Sequence, residues 1–313
     1  MYTRDYLGIV VDNANRRITL FNTNTQEVIQ QLPIDADVLD VAINRNCTRA
    51  FVSSFNSRTM YQIDLCAVPA SVVGSALSQT LLEDVALTPD GKYALSVDGS
   101  ASNQDIVSYS TRQNVFVSSL PTSAQAVAIS PRSHELVLTA EYFNNSVHRF
   151  IIHHDGSLED SGQSFPAGEG PINVIFSPNG EFAFVAANND NRINVLSTLI
   201  PQNVILLGGA PSSSGPQSLT ITRDGRHVFA LTASNVDIYA FDPVAGSLTL
   251  ERSFAHELTI SSYYGVDQIA LDAGERKLFI SAFGQVAAFT TYGLSLGNVD
   301  GAQGPGGIAV CRC

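Results

Sequence analysis

Short apolar triplets recur along this chain, each followed by a polar turn. Val41-Ala42-Ile43 returns as Val85-Ala86-Leu87, Val127-Ala128-Ile129, Val174-Ile175-Phe176, Leu219-Thr220-Ile221, Ile269-Ala270-Leu271 and Ile308-Ala309-Val310. The middle residues of these seven copies lie 44, 42, 47, 45, 50 and 39 positions apart. A period of roughly 40–50 residues is the mark of propeller blades built from four strands each. The clearest turns are Ser177-Pro178-Asn179-Gly180, Thr88-Pro89-Asp90-Gly91 and Thr222-Arg223-Asp224-Gly225. Proline presets φ early in such a turn and glycine accepts positive φ at its end, so each turn predicts a tight antiparallel connection. Apolar runs then predict second strands such as Tyr93–Val97, Phe182–Ala186, His227–Leu231 and Lys277–Ser281. Third strands follow a polar loop, as in Asp105–Ser110, Arg192–Leu196 and Val236–Phe241. Weaker fourth strands close each unit, as in Asn114–Leu120, Asn203–Leu207 and Ser247–Ser253. No comparable stretch shows the 3.6-residue period of an amphipathic helix.

The two ends complement each other. Tyr6–Val11 reads as a second strand, Ile18–Asn22 as a third and Glu27–Pro33 as a fourth. The missing first strand stands at the other end, in Gly306-Gly307-Ile308-Ala309-Val310. The expectation is an all-β chain forming a single closed seven-bladed β-propeller, its first blade completed by the C-terminal strand. Closure removes the sheet edges that a linear array would expose. The blades are expected at 306–312 with 5–34, then 36–77, 80–122, 123–167, 170–210, 215–256 and 264–302.

Residues 173–196 carry the sharpest copy of the repeat. There the triplet leads into Ser-Pro-Asn-Gly, Glu-Phe-Ala-Phe-Val-Ala-Ala-Asn and Asn-Arg-Ile-Asn-Val-Leu. This stretch resembles the YVTN-type β-propeller repeat, whose superfamily includes lactonase-type propellers. The likeness runs along essentially the whole chain. Blades 1, 2 and 7 have degenerate turns, such as Arg45-Asn46-Cys47 and Ala273-Gly274-Glu275. The resemblance speaks to fold, since propellers host unrelated activities.

Composition narrows the partners. The 313 residues hold 17 Lys and Arg against 29 Asp and Glu, a net charge of −12. Only Lys92 and Lys277 are lysines. No basic patch is available for phosphates, which argues against nucleic acid and anionic membrane surfaces. No run reaches the 18 apolar residues of a membrane span. Leu7–Val11 is too short for a secretory apolar region, so a cytoplasmic chain or a cell-surface protein without a recognisable signal is expected.

The residue before each triplet should sit where its strand enters the channel. These are Asp40, Asp84, Ala126, Asn173, Ser218, Gln268 and Gly307. Asp40, Asp84, Asn173, Ser218 and Gln268 make a polar channel mouth, suited to a cation or a small polar ligand, or simply hydrated. Lactonase-type relatives place His, Arg and Glu at this mouth, with a His following the proline that leads into a blade. Here Pro171 is followed by Ile172 and Asn173. Ring-opening hydrolysis needs an acid or base near neutrality, most often His. Of the six histidines, His134 is in a first turn, His148, His153 and His154 belong to the third strand of blade 4 or its following turn, His227 starts a second strand, and only His256 is within reach of that face. Asn188–Arg192 and Asp98–Asp105 are rich in oxygen donors but lack the spacing of a calcium loop. Gly304-Pro305-Gly306-Gly307 reads as a flexible approach to the closing strand. No phosphate cradle or metal motif is present, and no cofactor is expected. Without Trp, any stacking on a sugar falls to Tyr142, Phe143, Tyr263 and Tyr264.

Four cysteines do not make a disulfide scaffold. Cys47 lies in the first turn of blade 2, Cys66 ends its third strand, and Cys311 and Cys313 follow the closing triplet. All four should share the face opposite the channel mouth. A bridge from Cys47 to Cys311 or Cys313 would staple the ring, contributing about 2–4 kcal/mol. The alternatives are four reduced thiols, or self-assembly through Cys313. The leading functional expectation is a non-catalytic binding or scaffold propeller, a surface or assembly component, for an unidentified protein or small polar ligand. The other is a lactonase-like hydrolase acting at the channel mouth.

Overall fold

A computed structural model describes residues 6–99, 104–133, 135–260 and 266–311. His134, Tyr263, Tyr264, Cys313 and residues 100–103 of the Asp98–Asp105 stretch lie outside them. Seven four-stranded antiparallel sheets form the ring. Their innermost strands are Ile308–Val310, Val38–Ile43, Val85–Leu87, Ala126–Ile129, Pro171–Phe176, Pro216–Ile221 and Ile269–Leu271, each touching the next around the axis. Blade 1 is completed as expected: Val10 pairs with Ile308, Ile9 with Ala309 and Gly8 with Val310. Among the described residues no helix is long and apolar enough to cross a membrane.

The turn chemistry repeats in detail. Ser177 Oγ donates to Asn179 Oδ1 (2.7 Å) and accepts from the Phe182 N–H (3.0 Å). Thr88 does the same with Asp90 and Tyr93, and Thr222 with Asp224 and His227. Gly91, Gly180 and Gly225 take the left-handed position, at φ 68°, 66° and 69°. In the degenerate turns Asn44 and Asp272 replace the hydroxyl, each accepting two backbone N–H groups. The left-handed position is then filled by Cys47 (φ 54°) and Glu275 (φ 56°). A residue with a Cβ costs roughly 1–2 kcal/mol there.

At Cys47 that cost has a return. Cys47 is bonded to Cys311 across a Cα–Cα distance of 5.7 Å and a sequence separation of 264 residues. Both are buried, so the bridge covers the seam where the chain ends meet. The reduced set of four thiols is thereby overturned. Cys66 stays outside the bridge and exposed.

Neighbouring blades meet through apolar faces. Phe241 of blade 6 packs edge-on against Phe182 and Phe184 of blade 5, with centroids 4.9 and 4.8 Å apart. Near the axis the space is smaller. Ala128 is 8% exposed and packs in one cluster with Leu138, Val174 and Ala183. Ala128→Leu should overpack this cluster and lower stability by about 1–3 kcal/mol, read from the urea midpoint. An unchanged midpoint would count against this packing. The Gly304–Gly307 segment is not a flexible approach. All four residues are buried. A Cβ on Gly306 would stand 2.6 Å from the Val11 carbonyl oxygen, and one on Gly307 would fall on Asp40 Oδ1.

Candidate axial site

The polar residues ahead of the triplets are directed around the ring, from one blade to the next. Bulges at Val38/Val41, Pro171/Asn173 and Pro216/Ser218 turn the incoming strands. Asp40 Oδ2 accepts the Val85 N–H (3.0 Å), and Asp84 Oδ2 accepts that of Val127 (2.7 Å). Asn173 Oδ1 accepts the Leu219 N–H (3.2 Å), and Ser218 Oγ accepts that of Gln268 (3.1 Å). These are clamps between consecutive blades, satisfying backbone donors that the short inner strands leave over. Asp40, Asp84, Asn173, Ser218 and Gln268 are each at most 4% exposed, so the expected mouth is closed by its own side chains.

Two of the predicted residues, Asp40 and Asp84, come together at the axis, joined by Asp267. Each offers a carboxylate oxygen within 4.8 Å of the others, close enough to hold a metal ion. Asp267 donates its N–H to Asp40 Oδ1 (3.4 Å) and accepts from Asn173 Nδ2 (3.2 Å). Asn173 is thus tied to the group, while Ser218 and Gln268 remain bonded to each other. Asp267 escapes a reading that takes only the residue next to the triplet, since Gln268 intervenes.

Three carboxyls in so little water cannot all ionise easily. Burial, then the charge of Asp267, pushes Asp40 up to about 8 against hydrogen bonds from Asp84, Val85 and Val41. Burial, then the charges of Asp40 and Asp267, holds Asp84 well above the carboxylate range. Burial raises Asp267 to about 6, opposed by the Asn173 amide. Asp40 and Asp84 are therefore both held toward their protonated forms, and the interaction between them favours the proton on Asp84.

Below these groups runs the channel. One section, of about 380 Å³, extends from Asp84 and Asp267 past Ala86, Ala128 and Ile175 to Pro131 and Pro178 in the bottom turns. A second, of about 230 Å³, is lined by Ala42, Thr220, Ala270, Ala309 and again Asp267. The channel wall is made by the triplets, whose side chains are mostly apolar while backbone groups, Ser177 and Thr220 add polar surface, and its inner end is acidic. Asp267 is the only half-buried member of the carboxylate group and lines both sections.

The other candidates have structural tasks. His256 is buried, its Nε2 on the Thr232 carbonyl oxygen (3.1 Å) and its Nδ1 accepting the Leu258 N–H (3.3 Å). Burial lowers its pKa. His148 bonds Ser164 and Asp160 on an outer strand. Asn188 donates to the Pro216 carbonyl oxygen and Asp190 accepts the Glu169 N–H, which engages the supposed calcium loop in backbone contacts. Tyr142 packs edge-on against Phe143, and its hydroxyl meets Asn189. On the top face Glu83 is raised to about 7, by burial and then by the charge of Asp98, while the Gly99 N–H opposes the shift.

No protein-family model matches the chain, and no curated protein matches it. Among solved structures it is similar to a functionally unknown protein from Desulfotomaculum acetoxidans DSM 771. Identity is 38% and the TM-score 0.95, over 98% of this chain and 99% of that one. A periplasmic gluconolactonase of Pseudomonas aeruginosa, PpgL, matches with a TM-score of 0.80 at 16% identity, over 97% and 98%. Hydrazine synthase of Kuenenia stuttgartiensis matches with a TM-score of 0.73 at 15% identity, over 90% and 92%. The last two likenesses are of fold.

Proposed function

The chain belongs to the family of the functionally unknown Desulfotomaculum acetoxidans protein, and from that premise we propose that it is a non-catalytic binding propeller with its ligand in the axial channel. The observation that carries the reading is a channel lined by the side chains of the triplets, mixed in polarity and ending on Asp267 and Asp84. Pockets of this size with a few converging polar groups are the usual form of small-molecule sites. An ionised carboxylate only accepts hydrogen bonds. The matching ligand has an apolar body and a cationic or hydrogen-bond-donating head. The YVTN-type resemblance of residues 173–196 and the clamp role of Asp40, Asn173 and Ser218 suit a rigid scaffold of this kind. The Cys47–Cys311 bridge suits an oxidising compartment, as for a surface component.

The alternative, a lactonase-like hydrolase for a small polar substrate, draws on the fold shared with PpgL. Against it stand the buried positions of Asp40 and Asp84 and the backbone-bonded His256, while Asp267, half-buried in the channel and raised to about 6, is the group such a hydrolase would have to use. Calorimetry with hexylammonium, and with hexanol as its neutral counterpart, tests the reading. Hexylammonium should bind, and Asp267→Asn should weaken it at least tenfold without changing hexanol. Equal binding in the variant, or gluconolactone hydrolysis that Asp267→Asn abolishes, would refute it.

A further inference from the structure

A second cavity, of about 180 Å³, lies on the top face, opposite the turns where the channel opens. It is lined by Asn13, Asp37, Leu39, Phe55, Asn56 and Glu83. Asn13 follows strand Leu7–Asp12 of blade 1, and Phe55 and Asn56 follow strand Arg49–Ser54 of blade 2. Asp37 and Leu39 lead into blade 2 and Glu83 into blade 3. Three blades therefore build one small pocket. We propose that it is a binding site for a small organic cation, an ammonium group carrying short alkyl substituents.

The acceptors are fixed without being neutralised. Asp37 Oδ2 accepts the Asn56 N–H (3.1 Å), its Oδ1 accepts the Ser54 hydroxyl (3.3 Å), and the Asn56 carboxamide donates to it as well. Glu83 commits Oε2 to the Gly99 N–H (3.0 Å), leaving Oε1 for a ligand. All these donors are neutral, so they orient the carboxylates without pairing their charge; Glu83, raised to about 7 by burial and the Asp98 charge, becomes the fuller partner for a cation as pH rises above that value. No Lys, Arg or His is among the lining residues. The acidic balance of the chain adds to the negative potential, and clefts lined by one sign of charge concentrate the opposite ion. An anion would meet two carboxylates and, among the described lining residues, no charged donor.

The remaining walls choose the kind of cation. Phe55 is half-buried and borders the cavity, and Leu39 is an apolar wall beside it. An aromatic face attracts a cation through its quadrupole, most strongly when the cation is poorly hydrated. A bare metal ion seeks six or more oxygens and gains nothing from Phe55 or Leu39. An alkylated ammonium uses all three features: carboxylate charge, ring face and apolar contact. The site does not depend on the axial ligand, and the two can be separated by mutation.

The test uses the full-length, disulfide-bonded protein with tetramethylammonium chloride, against sodium chloride at the same ionic strength and against neutral tert-butanol. Tetramethylammonium should bind saturably and show nuclear Overhauser contacts from its methyls to the Phe55 ring. Phe55→Leu and Glu83→Gln should each weaken it at least tenfold, and Asp267→Asn should leave it unchanged. Absence of the Phe55 contacts in the wild-type protein would overturn the assignment without relying on any variant. So would equal binding of tert-butanol, equal affinity in Phe55→Leu, or loss of binding in Asp267→Asn.

Discussion

A chain ending at Gln303 should lose its cooperative unfolding transition and aggregate. The missing segment supplies the inner strand of blade 1. Strand Leu7–Asp12 is buried at all six positions, and truncation leaves it as an open edge. It forfeits its pairing with Ile308–Val310, the bond from Val11 N–H to the Gly307 carbonyl oxygen (3.0 Å) and that from Cys311 N–H to Leu7 (2.8 Å). The neighbours lose too, since Gly307 N–H reaches Leu39 (2.8 Å) and Ile308 N–H reaches Asp267 (2.7 Å). A buried backbone group without a partner costs about 1–3 kcal/mol, and several are exposed or orphaned together. An uncovered apolar edge is also a template for pairing between chains. The bridge must be separated from the strand. Cys47→Ser with Cys311→Ser in the full chain should cost about 4 kcal/mol, the upper end of the usual disulfide range, because the closed loop is long. That variant should still unfold in one step. Urea unfolding followed by circular dichroism and light scattering reads both, and a truncated chain that unfolds like the intact one would sink the closure argument.

The ring was legible because its signals are local and repeated. A triplet, a turn and an alternating strand can be seen in one window, and seven copies reinforce each other. Blade 1 was legible because the strand missing at one end stood at the other. The disulfide was legible in part: Cys47 and Cys311 fall on one face, but register, not spacing, brings their Cα atoms to 5.7 Å. The axial group was half legible. Asp40 and Asp84 precede their triplets, so the repeat pointed to them. Asp267 is one residue further out, and only the course of the chain into blade 7 turns it inward. The purpose of these residues was not legible either, because a side chain reaching the next blade's N–H is a relation between segments some 45 residues apart. The Gly306-Gly307 pair shows the same limit. Composition suggested flexibility, but the glycines are set by the close approach of Asp40 and Val11.

Stability should be highest near pH 4–5 and fall steadily toward pH 8. In the native ring Asp40 holds its proton to about 8 and Asp267 to about 6, with Asp84 also raised. Unfolded, these aspartates ionise near 3.8. Above that pH the unfolded chain binds fewer protons than the folded one, so each rise in pH favours unfolding. The contribution is fully present below the unfolded value and is lost as pH climbs through the native ones. Each proton retained contributes a slope of up to about 1.4 kcal/mol per pH unit. The acid side is set by opposite cases. Against a burial penalty, hydrogen bonds from Lys92 and Thr88 and the Lys92 charge hold Asp90 at about 2, so its contribution is present above the unfolded value and fades as pH falls below 4. Asp84→Asn separates the axial group from everything else that titrates. The carboxamide can donate to Asp40 as the protonated acid does, and its oxygen can accept the Val127 N–H. The variant should flatten the decline between pH 5 and 8 and exceed the native protein in stability at pH 8. The same slope in both proteins would show that Asp84 is ionised in the folded ring, and a proton shared between Asp84 and Asp40 would be excluded.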